Sequence, residues 1–142
     1  MQVSQGRIFI GRLPTSGDLL EELTAVCNTN HIRLGVFAVI GALKGVKLGY
    51  YDQNLQRYVE SCDLEGKFEI TSCIGNISLK DDSIFVHAHI TLGAHDGKAF
   101  GGHLMPGARI FAAEYHIQEF LGKDLCRTFD EPTGLSLWPM EE

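Results

Sequence analysis

Hydrophobic and polar positions alternate through much of this chain, and a period of two marks strands with one buried face. From Ile84 to Leu92 one row holds Val86, Ala88, Ile90 and Leu92, while Phe85, His87, His89 and Thr91 point the other way. Ala108 to Phe120 alternates as well, with Phe111, Ala113, Tyr115 and Ile117 on one face and Ile110, Ala112, Glu114 and His116 on the other. A first strand, Arg7 to Leu13, stops at Pro14. The period then changes to that of a helix: Leu19, Leu20, Leu23, Val26 and Cys27 make one apolar stripe. Thr15, Ser16 or Asp18 can cap it, Asp18, Glu21 and Glu22 suit its positive end, and Asn28 to Asn30 close it.

Arg33 to Leu43 is almost continuously apolar and reads as a strand buried on both faces, with a bulge or close backbone contact at Gly41-Ala42. Val46 to Tyr51 and Gln56 to Glu60 form the next pair, linked at Asp52-Gln53-Asn54. Gly66 to Leu79 reads as a long strand bending at Gly75, and Lys80 to Ser83 as a turn. The tail from Arg127 is rich in turn residues and packs through Leu135, Leu137 and Trp138. One main helix and some seven strands in hairpin order give an α+β domain with a largely antiparallel sheet, a single domain over residues 1–142.

The alternating segment at Ile84 leads into Ala94-His95-Asp96-Gly97-Lys98, and Asp-Gly between alternating runs is a hairpin signal. A two-residue turn would send His103 into the core. A three-residue turn closed by left-handed Gly97 opposes His89 to His103 and puts Phe100 and Leu104 in the row of Ile90 and Leu92. The second register is expected, because both arms then bury one apolar row. Directly opposed Cβ atoms lie about 4.5–5.5 Å apart, and His87 is one diagonal step away. His87, His89 and His103 can therefore converge on one ion, and three imidazoles with a fourth position open suit zinc. Gly101 and Gly102 leave room for a metal, a ligand or another backbone.

Composition narrows the function. At 142 residues, 44% hydrophobic and 21% charged, the chain is an ordinary globular domain. Its longest apolar run, Val36 to Leu43, is too short to span a bilayer, so no membrane association is expected. Cys27, Cys62, Cys73 and Cys126 show no C-x-x-C spacing and no signal peptide is evident, which points to reduced thiols in a cytoplasm. A net charge of −6 with no basic run disfavours unaided DNA binding. No phosphate-binding glycine loop or nucleophile elbow occurs. A three-histidine zinc site could also serve a metal-dependent hydrolase or lyase, with Glu69, Asp96 or Glu114 as the acid or base. The catalytic residues of such an enzyme are not legible. His95 is expected to be exposed, and His31 and His116 to be polar or interface residues.

Several stretches together resemble the plant-and-prokaryote-conserved (PPC) domain in its stand-alone form. They are Gly35 to Ala42 (GVFAVIGA), Gly66 to Ser72 (GKFEITS), Gly75 to Ser78 (GNIS), His87-Ala88-His89, Gly101 to Leu104 (GGHL) and the tail from Phe129 to Leu135. The resemblance implies an α+β domain that forms a homotrimer and holds zinc through His87, His89 and His103. Plant relatives carry an AT-hook that reads DNA, and prokaryotic members are often labelled DNA-binding by that association. This chain has no Arg-Gly-Arg-Pro hook, so the resemblance implies a transcription-associated module acting through partners. Gly66 to Ser72 matches a plant stretch linked to partner proteins, with Lys67 where arginine is usual.

Overall fold

The computed structural model describes residues 1–140, so the last two positions of the expected domain lie outside the described residues. The strands are β1 (Ser4–Leu13), β2 (Gly35–Asp52), β3 (Arg57–Lys80), β4 (Ser83–Ala94), β5 (Ala99–Leu104), β6 (Arg109–Leu121), β7 (Cys126–Asp130) and β8 (Leu135–Leu137), with one helix, α1 (Leu19–Thr29). The expected α+β class is observed, with eight strands rather than seven. Two strands foreseen at 33–43 and 46–51 are one strand, β2, and 56–60 and 66–79 likewise fuse into β3. The tail supplies two more, as the β7–β8 hairpin.

β2 is the hub. It pairs antiparallel with β6 on one side and with β3 on the other, and its far end also pairs with β5. Because β3 pairs β4 and β4 pairs β5, these four strands close a ring that wraps the core. β1 extends the sheet beyond β6. β7 joins β3 in parallel through Leu79↔Cys126 and Lys80↔Arg127.

α1 starts where Asp18 sits in extended conformation and caps it. One carboxylate oxygen of Asp18 accepts from the Leu20 and Glu21 N–H groups at 3.0 and 3.1 Å. The other accepts from Gly107 and Ala108 at 2.6 and 2.9 Å. One side chain thus caps the helix and pins the loop before β6. Leu19, Leu23 and Cys27 enter the core beside Ile90, Leu92 and Ile110. Burial in that apolar setting pushes the Cys27 and Cys73 thiols up to about 12.

Two local expectations change. β2 was expected to be buried on both faces, but Phe37 and Val39 are buried while Val36 and Ile40 are 40% and 59% exposed. The helix covers only the inner face, and Val36 and Ile40 on the outer one stay exposed among the described residues. In β6 the pairing jumps from Ala42↔Ala112 to Leu43↔Ile110, so Phe111 is an extra, bulged residue. Ile110 therefore enters the core and Phe111 turns out, the reverse of the simple alternation. β3 continues without interruption through Gly75. The glycine is needed for close packing, because an added Cβ would lie 2.0 Å from the His87 carbonyl oxygen and 2.5 Å from the Phe37 ring. At Gly41 both expectations hold, with φ +142 and the Ala112 carbonyl 2.1 Å from an added Cβ.

Candidate metal centre

The histidine hairpin adopts the three-residue turn. The Gly97 N–H donates to the Ala94 carbonyl at 3.0 Å, and the Ala94 N–H donates to the Lys98 carbonyl at 2.8 Å. Gly97 has φ +83, in the region that favours glycine. The register runs Gly93↔Ala99, Leu92↔Phe100, Thr91↔Gly101, Ile90↔Gly102 and His89↔His103. Val86, Ala88, Ile90, Leu92 and Leu104 are buried, which turns the three histidines to the outer face. Gly102 takes the third of its foreseen roles, since an added Cβ would meet the Gly49 carbonyl at 2.8 Å.

On that face the ring centroids of His87 and His89, and of His87 and His103, are 5.1 Å apart, and those of His89 and His103 are 5.7 Å apart. One ligand atom from each lies within 4.8 Å of the others. Nitrogens around a tetrahedral zinc, with bonds near 2.0–2.1 Å, sit about 3.3 Å apart. Small side-chain rotations close the difference. Two buried nitrogens, His87 Nε2 and His103 Nδ1, have no hydrogen-bond partner, and a buried polar atom is seldom left unpaired. An ion would satisfy both. Burial, reinforced by neighbouring positive charge, pushes the His87 imidazole down to about 4, and burial beside His89 does the same for His103. Both stay neutral near pH 7, as ligation requires.

The surroundings were not foreseen in the sequence. Tyr58 stacks on His103 with centroids 4.3 Å apart, holding that ring in place. Asn76 stands opposite His87 across β3 and β4. Arg127 comes from the tail through the parallel β3–β7 pairing and donates to Asn76 Oδ1 at 2.8 Å and to Ser78 Oγ at 3.1 Å. A cavity of about 290 Å³ lies against His87 and His103, lined also by Tyr58, Arg127, Lys80 and Arg57. No local motif marked Arg127, because two strands far apart in sequence bring it here.

None of the three expected carboxylates reaches the site. Asp96 is tied at the turn to Lys98, at 2.8 Å. Glu69 and Glu114 are exposed on β3 and β6 and line other hollows. His95 is exposed, as anticipated, and so are His31 and His116.

Residues 1–121 match the profile of the Plants and Prokaryotes Conserved (PCC) domain. A metal-containing protein from Archaeoglobus fulgidus shares 37% identity and a TM-score of 0.92, covering 98% of this chain and 97% of that one. A plant- and prokaryote-conserved (PPC) protein from Pyrococcus horikoshii shares 37% identity and a TM-score of 0.94, covering 99% of this chain and 96% of that one. The curated Bifunctional protein GlmU of a Synechococcus strain is 31% identical over 130 residues, 90% of this chain. The chain spans about 20% of that relative's length. The profile match, over most of the chain and the whole histidine hairpin, shows that the protein belongs to the Plants and Prokaryotes Conserved domain family.

Proposed function

We propose that this protein is a zinc-holding, homotrimeric module that acts through partners in a DNA- or transcription-associated role in the cytoplasm. The observation that carries the metal reading is the convergence of His87, His89 and His103 with two buried nitrogens lacking any partner. The metal-containing Archaeoglobus fulgidus protein, at 37% identity, supports it. When bound, zinc held by His87, His89 and His103 would supply Lewis acidity or an activated water. The chain's own part is to hold three neutral imidazoles, with Tyr58 fixing one ring. Elemental analysis of protein purified without added metal tests this. Zinc near one per chain is expected, and protein without bound metal would refute it.

The trimer reading rests on the family resemblance and on exposed apolar residues spread over one sheet face: Ile8, Ile10, Val36, Ile40 and Ile74. Phe85 and Met105 are half-buried and add little to it, and Phe85 lies under the cations of Lys80 and Arg127. Partner contact is proposed through the Gly66 to Ser72 segment, where Lys67 and Glu69 border a hollow of about 670 Å³ that includes Phe111. No helix is long and apolar enough to cross a membrane among the described residues.

A metal-dependent hydrolase or lyase is the second reading, favoured by the cavity beside the histidines. No Asp or Glu lines that cavity or the adjoining hollow of about 610 Å³. A general acid or base would have to come from Tyr50, Tyr51, Tyr58 or Lys80, and burial raises the Tyr58 phenol further from neutrality. The binding module is therefore the better account.

A further inference from the structure

Arg127 is half-buried, and desolvation lowers its pKa, yet among the described residues no carboxylate pairs with it. Its three hydrogen bonds go to neutral acceptors: Asn76 Oδ1, Ser78 Oγ and the Ser136 carbonyl, the last at 3.1 Å. Two of the five guanidinium N–H groups are left over. The Phe85 and Trp138 rings lie 5.2 and 5.3 Å from its Cζ, fixing the planar group between them. A desolvated charge without an ionic partner is costly, and structures keep one when something else neutralises it. Lys80 and Arg57 line the same cavity, and neither forms an ion pair among the described residues. Three cations thus meet at one cavity in a chain of net charge −6.

We propose that this cavity seats a small oxyanion, a carboxylate or phosphate group, with Arg127 as its main counter-charge and the histidine-held ion as its neighbour. The proposal rests on the metal reading for that second contact. Arg127 suits the task because a guanidinium presents paired donors that match a planar carboxylate or a phosphate edge. Asn76, Ser78 and Ser136 hold it in place before the ligand arrives, so little ordering is left to do on binding. At about 290 Å³ the cavity admits a group of a few heavy atoms rather than a polymer. Tyr58 also lines the cavity and offers a neutral hydroxyl.

The test uses the full chain loaded with zinc, with bound metal measured on every sample. Inorganic phosphate and acetate are titrated by calorimetry and by the fluorescence of Trp138, the one tryptophan, which lies against Arg127. Acetamide serves as the uncharged control for acetate. Saturable binding of at least one anion and none of acetamide is expected, and the preferred anion tells a phosphate-bearing from a carboxylate-bearing ligand. Arg127→Gln should weaken binding by about tenfold or more, the scale of a hydrogen bond to a charged group, with zinc content unchanged. Arg127 also ties β7 to β3, so Arg57→Gln with Lys80→Gln provides a second route that leaves this link intact and should weaken binding several-fold. A purely structural Arg127 would leave anion affinity where it was. No saturable anion binding, equal binding of acetamide, or undiminished affinity in both variants overturns the proposal. Protein that binds the anion through Arg127 but holds no metal would refute the zinc centre alone.

Discussion

One face of the sheet carries two different surfaces on the same cross-strand rows. One row runs Ile10↔His116↔Ala38↔Ile74↔His89↔His103 from β1 to β5. The next runs Ile8↔Gln118↔Val36↔Asn76↔His87. Toward β1 these rows expose isoleucine and valine, with Ile10 81% and Ile74 59% exposed. Toward β5 they carry the histidine cluster, walled by Tyr58 and Arg127. The chain lays its tail against the histidine half, whereas Ile10, Ile40 and Ile74 of the apolar half stay exposed among the described residues. The first is built to hold something small, and the second to meet another large surface.

The sharpest way to break this contrast is to charge the apolar half. Ile40→Asp lies on β2, away from the histidines, and would place a carboxylate in each copy of a packed interface. The expected outcome is loss of the trimer, read as a fall to monomer mass by light scattering at micromolar concentration, with zinc content retained. A monomeric wild-type protein would remove the interface altogether. The reciprocal substitution, His103→Ala, should leave the oligomer and cost at least about tenfold in zinc affinity, while His95→Ala changes neither. Full zinc occupancy in His103→Ala would refute the three-histidine assignment.

How much of this was legible follows the range of the interactions. The hairpin register, and with it the His89–His103 pair, depends on a turn and an alternation within some twenty residues, and both could be read locally. The capping Asp18 was among the three candidates for the same reason. The fusion of strands into β2 and β3 was hidden, because Gly45 and Ser61 to Glu65 resemble breaks when read locally, whereas the long antiparallel pairing carries the strands through them. The Phe111 bulge is set by cross-strand pairing with β2, and no alternation within β6 reveals it. Arg127 reaches the histidines only through β7, a parallel pairing of two residue pairs, so the cavity's charge had no local signature.

A further test concerns nucleic acid. The net charge of −6 becomes −18 in a trimer, which repels phosphate at long range. Duplex DNA near 150 mM salt, about physiological ionic strength, should bind no tighter than roughly 10⁻⁴–10⁻⁶ M and without sequence preference. Nanomolar, sequence-selective binding by the isolated chain would show that the local cations of the histidine half outweigh the global field.

The smallest effect lies at the far edge of the apolar half, where buried Glu119 accepts from Arg7 at 2.7 Å through both Nε and Nη2. The Arg7 guanidinium holds that carboxyl below its ordinary value, against the opposing effect of burial. Because the folded value is depressed, the pair's contribution is present above the ordinary carboxyl range near 4.3 and is lost as pH falls through the folded value. The histidine half has the same sign in a higher window. In metal-free protein His87 and His103 are depressed from 6.5 to about 4, so their contribution is present above 6.5 and declines as pH falls toward 4. Comparing wild type with Glu119→Gln cancels the histidine part, since both proteins carry it. Denaturant unfolding of the two should differ modestly at pH 7, because Arg7 is largely exposed, and the difference should shrink below about pH 4.3. A gap that stays the same below about pH 4.3 would show that the Arg7–Glu119 pair has no measurable part in the acid sensitivity.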